Sequence, residues 1–187
     1  ISQSLEHDAV IFVNPNSPTG VYCESMSQIV KKIGQSGNPS SKCKMIWIDE
    51  TYINYISNAN SLELLSSSIP ELIVCKSMSK CYALSGLRVA YAVSQQMQKI
   101  KKFIPPWAVS LPGQLAAVAA LRDKEYYSKR YDLIHSERKK MQKSLESIGF
   151  QVFPGVANYL LTYLPSDSGY SSTKFVEDCK SRGLFVR

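Results

Sequence analysis

Leu72-Ile73-Val74-Cys75-Lys76-Ser77-Met78-Ser79-Lys80-Cys81-Tyr82-Ala83-Leu84-Ser85-Gly86-Leu87-Arg88 carries the pattern from which the rest of this 187-residue chain is read. Its first four residues are apolar without polar alternation and too few for a helix. They predict a short strand buried on both faces of a parallel sheet. Val10 to Val13 and Met45 to Ile48 have the same character. Between those two runs, Met26, Ile29, Val30 and Ile33 recur at helical spacing, and Gly34 and Gly37 end the pattern. Strand, helix and strand in this order predict a βαβ unit.

The chemistry lies just past the end of each strand. Val13 leads into Asn14 and a proline-rich turn, Ile48 into Asp49, and Cys75 into Lys76, Ser77 and the lysine loop. In open α/β sheets ligands bind beyond the carboxyl ends of the parallel strands, so these polar groups are expected along one edge. The loop places an amine (Lys80), hydroxyls (Ser77, Ser79) and a guanidinium (Arg88) close in sequence. Such a set can hold an aldehyde cofactor by Schiff base and that cofactor's phosphate by charge. Taken singly, each residue has a plainer reading. A lone loop lysine is a solvated charge, Asp49 a cap at a strand end, and Tyr52 a packed aromatic with its hydroxyl in water.

Three stretches in register change that balance. Asn14-Pro15-Asn16-Ser17-Pro18-Thr19-Gly20, Ile48-Asp49-Glu50-Thr51-Tyr52 and the Lys80 loop together resemble the signature of the fold-type I pyridoxal-phosphate aminotransferases of class I/II. The resemblance is to the branch holding histidinol-phosphate aminotransferase and threonine-phosphate decarboxylase. It continues through Ile104-Pro105-Pro106-Trp107-Ala108-Val109-Ser110 and Ala157-Asn158-Tyr159-Leu160-Leu161, and so covers essentially the whole chain. It implies an α/β fold in which a mostly parallel sheet with flanking helices forms part of a large cofactor domain, followed by part of a small α+β C-terminal domain. The spans implied are residues 1–123, a long linking helix over 124–150, and 151–187.

The resemblance also implies roles. Lys80 would be the catalytic residue, bonded to pyridoxal 5'-phosphate. Asp49 would pair with the pyridine nitrogen and Tyr52 would donate to the ring hydroxyl oxygen. Ser77, Ser79 and Arg88 would hold the phosphate, Arg88 through its planar fork. The family usually has asparagine directly before Pro-Thr-Gly, where this chain has Ser17. Either the shorter serine reaches the cofactor through water, or Asn16 substitutes, or the turn is purely structural. Asn158 resembles the asparagine of the substrate-side strand, and Arg187 the first of two late arginines that meet anionic substrates.

The implied activity is amino transfer between a small-molecule amino donor, an amino acid or amino phosphate, and a keto acid acceptor, in a homodimer. A decarboxylase or lyase of the same fold is the alternative, because the labile bond is set by how the substrate is oriented on the ring. A third reading is a non-catalytic sensor domain of a transcription regulator. Against the family, the chain lacks the N-terminal part of the cofactor domain and the C-terminal segment. It is therefore expected to be an interior fragment that by itself binds cofactor weakly and turns over nothing.

Composition excludes other classes. Five cysteines form no CxxC pair, and neither His7 nor His135 lies near one in sequence, so reduced thiols in a cytoplasmic protein are expected and no metal. The formal charge of +7 sits largely in Lys99, Lys101, Lys102 and the span Lys124 to Lys143, where charges alternate along a helical pattern. That pattern is a solvated helix face, and no nucleic-acid-binding motif accompanies it. No apolar run approaches the ~20 residues needed to cross a bilayer.

Further along, Val89 to Val93 predicts a strand and Pro112 opens a helix through Leu121. Tyr127, Tyr131, Ile134, Arg138, Met141, Leu145 and Ile148 mark one side of a long helix stopped by Gly149. From Gln151 the pattern turns to strand, with Asn158 to Leu164 largely apolar. A helix comes next over about Ser172 to Arg182, and Leu184-Phe185-Val186 predicts a last strand.

Overall fold

The computed structural model describes residues 6–34, 38–165 and 168–186. Gly37 and Arg187 lie outside them. Strands β1 (Ala9–Val13), β2 (Met45–Asp49), β3 (Leu72–Ser77) and β4 (Ala90–Val93) form one sheet in the order β1-β2-β3-β4. The first three are parallel, with Ile46 opposite Leu72 and Ile48 opposite Val74. β4 runs antiparallel to β3. The loop between them holds only a 3-10 turn at Ser85–Leu87 and no crossover helix, so the chain simply doubles back.

Helix α1 (Met26–Ile33) supplies the βαβ crossover. Its Met26, Val30 and Ile33 lie four and three residues apart, so they share one face. That face packs on Ile46, Ile48, Leu72 and Val74, whose alternation directs them to the same side of the sheet. Burying a side chain of this size contributes roughly 1.5–3 kcal/mol, which makes this layer the main anchor of the strands. Tyr91 pairs across from Lys76, in phase with Leu72 and Val74 on the same face of the sheet. It adjoins a second cluster built from Tyr55, Met78, Tyr82, Val89, Ala117 and Ala120, with Tyr127, Tyr131 and Ile134 packed around it.

Burial on both sheet faces holds for β3 but not for its neighbours. Leu72, Ile73 and Val74 are at most 3% exposed, whereas β2 alternates and Ile11 on β1 is 68% exposed. β1 is the edge strand of the described sheet, and both described core clusters lie against the other face.

After the short α2 (Met97–Lys101), α3 (Leu111–Arg122) starts at Ser110, whose hydroxyl accepts the Gly113 N–H at 3.2 Å, with proline in the first turn. α4 (Lys124–Ser147) is the long helix, capped by Asp123. Only the first half of its apolar stripe is used: Tyr127, Tyr131 and Ile134 join the core, while Met141 and Ile148 are exposed.

The C-terminal strand expectations need correction. The apolar run 158–164 yields only β6 (Thr162–Tyr163), paired antiparallel with β5 (Gln151–Val152), and Leu184 to Val186 form no strand. Tyr159 bonds to the proline-rich turn through its hydroxyl and to α4 through its carbonyl instead of joining a ladder, and among the described residues Leu184 to Val186 have no partner strand. α5 (Ser172–Ser181) is present and is capped by Ser171.

Candidate active site

The carboxyl ends of the three parallel strands lie together because the sheet register puts them there. The Asn14 N–H donates to the Asp49 carbonyl at 2.9 Å, and the Glu50 N–H to the Cys75 carbonyl at 2.8 Å. Strand parity then sorts the side chains. Asp49 and Cys75 are register partners on one face, with Ser77 two residues further on, while Lys76 points to the other.

The turn after β2 and the loop after β3 are bonded to each other. Thr51 is the link: its hydroxyl accepts the Ser77 N–H at 3.3 Å and its carbonyl accepts the Cys81 thiol at 3.1 Å. Asp49 takes the Thr51 N–H on Oδ1 at 2.8 Å, and among the described residues no donor reaches its other oxygen. In the loop, the Ser77 and Ser79 hydroxyls are 2.8 Å apart, and Ser77 Oγ also accepts the Ser79 N–H at 3.3 Å. The Lys80 carbonyl accepts the Tyr55 hydroxyl and the Ala83 N–H, while the Lys80 side chain is exposed.

Two non-glycine residues of this loop, Ala83 (φ 56) and Arg88 (φ 54), have left-handed backbone, a strain of order ~1 kcal/mol or more each. The neighbouring Met78 N–H to Val89 carbonyl bond continues the β3–β4 ladder and brings Arg88 back towards the serine pair. The Arg88 guanidinium is exposed and donates to the Ser85 carbonyl at 3.3 Å.

The proline-rich turn faces the same edge. Asn14 is buried and bridges Cys23 through both side-chain atoms, accepting its N–H at 2.8 Å and donating to its carbonyl at 3.1 Å. Its role is to shape the turn. Asn16 uses its side-chain oxygen on Thr19 at 2.8 Å, which ties that group down within the turn. Ser17 is exposed and lies beside Tyr52. Burial pushes the Tyr52 phenol up, Tyr159 and Asp49 add to the rise, and the Ser17 hydroxyl opposes it. Of the two candidates for the missing asparagine, the structure thus puts Ser17 next to Tyr52 and engages the Asn16 side chain elsewhere.

Asn158 is exposed and makes no side-chain hydrogen bond among the described residues; Tyr159 beside it does. Three contributors escape a reading of the sequence. Thr51 lies inside one of the motifs but carries no role there. The buried ions Lys76 and Glu50 and the half-buried Glu63 sit immediately behind Ser77 and Asp49, with Lys76 Nζ 2.6 Å from Glu63 and 3.3 Å from Glu50. Gly20 and Gly155 meet across the fold. Only the last has a visible signal, isolated glycines beside Thr19 and Pro154.

A separate cleft of about 460 Å³ opens between the 53–61 segment and the α3–α4 junction, lined by Tyr55, Tyr82, Tyr127, Tyr131, Lys76 and His135 among others. It contains none of the strand-end site residues Asp49, Ser77 and Lys80.

An open α/β sheet with a lysine loop, a carboxylate and a hydroxyl pair on one edge is the arrangement expected of a fold-type I cofactor domain. The family model for aminotransferase class I and II matches residues 1–187, and the chain belongs to that family. Histidinol-phosphate aminotransferase 1 of Oceanobacillus iheyensis is 32% identical over 183 residues, covering 95% of this chain and 49% of the relative. The crystal structure of the histidinol-phosphate aminotransferase from Clostridium acetobutylicum superposes with a TM-score of 0.81 at 26% identity, over 96% of this chain and 54% of that one. The Sinorhizobium meliloti enzyme, solved in complex with pyridoxal-5'-phosphate, shares the fold with a TM-score of 0.82 at 23% identity, over 96% and 48%. The chain thus spans about half the length of the relatives it matches.

Proposed function

We propose that this chain is the lysine-bearing part of a pyridoxal phosphate-dependent aminotransferase acting on an amino acid or amino phosphate, with a keto acid as acceptor. The observation that carries the reading is the Thr51 link, which holds the Asp49 turn and the Lys80 loop on one sheet edge. The donor set suits the cofactor. A carboxylate with one oxygen unclaimed among the described residues matches a protonated ring nitrogen, and paired hydroxyls on a loop that also carries the exposed Arg88 guanidinium match a phosphate.

When bound, the cofactor supplies an electron sink for the carbon that loses its proton. The residues of this chain supply the rest. Lys80, on a loop held by the Tyr55 hydroxyl, is the amine that attaches the cofactor and the base that moves the substrate proton. Asp49 keeps the ring nitrogen protonated. Tyr52 and Ser17 donate to the ring oxygen, and Ser77, Ser79 and Arg88 orient the phosphate. Asn158 and Arg187 are assigned to the substrate side, Arg187 by family resemblance.

Residues 1–123 belong on this reading to the cofactor domain, 124–150 to the linking helix and 151–187 to the small domain, in a cytoplasmic homodimer. No helix of the described residues is long and apolar enough to cross a membrane. The test is borohydride reduction after adding pyridoxal phosphate. The label should map to the Lys80 peptide by mass spectrometry and vanish in Lys80→Ala. Labelling at another lysine, or no visible absorption on adding cofactor to the full-length protein, would reject the proposal.

A further inference from the structure

Segment 153–161 grips the proline-rich turn from across the chain. The Val156 N–H donates to the Gly20 carbonyl at 2.8 Å, and the Tyr159 hydroxyl donates to the Asn16 carbonyl at 2.8 Å. The approach is close enough to require glycine on both sides. A Cβ on Gly155 would lie 2.9 Å from the Thr19 carbonyl oxygen and 3.1 Å from Gly20 Cα, while Gly20 itself has φ +72. The Asn16 carbonyl also accepts the Gly20 N–H at 2.7 Å, so Tyr159 occupies its second acceptor position.

Tyr159 reaches further than the turn. Its ring stands edge-on to Tyr52, with centroids 5.3 Å apart at 84°. Its carbonyl accepts Arg138 Nε of α4 at 3.3 Å, a guanidinium whose pKa is lowered by burial. One residue therefore contacts the turn that carries Ser17, the ring of Tyr52 and the long helix.

We infer that Tyr159 is a positioning residue, holding the Asn16–Ser17 turn and the Tyr52 ring in mutual register from α4 through Arg138. This rests on the proposed function, in which Ser17 and Tyr52 donate to the cofactor's ring oxygen, and it adds a role that neither residue type nor spacing announced. Released from the clasp, the two hydroxyls spread over more orientations and stabilise negative charge on that oxygen less well.

The experiment, in the full-length protein, compares wild type, Tyr159→Phe, which keeps the ring and deletes the hydroxyl, and Arg138→Met, which frees the Tyr159 carbonyl. In the ligand-free protein, amide hydrogen exchange at Gly20 should quicken about fivefold in Tyr159→Phe, the effect of one lost hydrogen bond, with α1 amides unchanged. With pyridoxal phosphate bound, the pH midpoint of its visible absorption should rise in both variants, in the direction given by Tyr52→Phe and by less. A purely structural tyrosine would lower the melting temperature without moving that midpoint. Wild-type exchange at Gly20 in Tyr159→Phe, or an unmoved midpoint in a variant that folds, overturns the inference. If the full-length wild type gives no visible absorption with cofactor, the functional reading fails, and with it the positioning role, while the Gly20 exchange rates still show whether the clasp itself exists.

Discussion

Replacing Lys76 by methionine takes the counter-charge away from two carboxylates directly behind the strand ends. The Lys76 side chain is 7% exposed and Glu50 2%, while Glu63 is 32% exposed. Nζ lies 2.6 Å from Glu63, 2.9 Å from the Ser61 hydroxyl and 3.3 Å from Glu50. Removing one partner of a buried ion pair costs roughly 3–5 kcal/mol, chiefly because the other charge stays desolvated. Two features place the cost at the lower end. Glu50 keeps the Ser61 hydroxyl at 2.6 Å and the Leu62 N–H at 2.8 Å, and Glu63 keeps the Tyr91 hydroxyl at 2.9 Å and partial access to water. About 3 kcal/mol is therefore expected for Lys76→Met, a drop in melting temperature of roughly 6–12 °C for a chain of this size.

The assay is urea unfolding monitored by circular dichroism, read as a lower midpoint at constant slope. Adding Glu50→Gln to Lys76→Met should recover part of the loss, since the double variant no longer buries an unpaired Glu50 charge. A Lys76→Met protein within ~1 kcal/mol of wild type would refute the reasoning, and so would a double variant no better than the single.

Local geometry sets two other outcomes. Cys81 is 5% exposed and burial pushes its thiol from an ordinary 9.0 up to about 12. Its folded pKa is raised, so the stability it contributes is complete below pH 9 and is lost as pH climbs from 9 to 12. Alkaline unfolding should move to higher pH in Cys81→Ala, and at pH 8 in the native state Cys81 should alkylate far more slowly than the half-buried Cys23, as peptide mapping would read. Ser110→Ala removes the cap bond to the Gly113 N–H and should cost ~1 kcal/mol in urea unfolding, with Ser110→Asp restoring most of it.

The elements legible in the sequence are those whose signal is local. β1 to β3, α1, α3 and α4 fall where apolar runs, helical spacing, proline and glycine put them, because each pattern arises from one element's own periodicity. β4 is legible as a strand but not in direction. The C-terminal stretches mislead because an apolar run reports burial, and Tyr159 is held by turn and helix contacts rather than by a neighbouring strand.

The site divides along the same line. Chain order alone determined that Asn14, Asp49 and Lys76-Ser77 end consecutive strands, and the carboxyl-edge rule for parallel sheets then assembles them without coordinates. The tertiary structure decided every choice between neighbours. Ser17 rather than the Asn16 side chain lies beside Tyr52, Lys76 turns away into Glu50 and Glu63, and Tyr159 rather than Asn158 reaches the turn. Such choices depend on which groups from distant segments arrive within about 3 Å, and a hydrogen bond spanning 143 residues of chain has no counterpart in any sequence window.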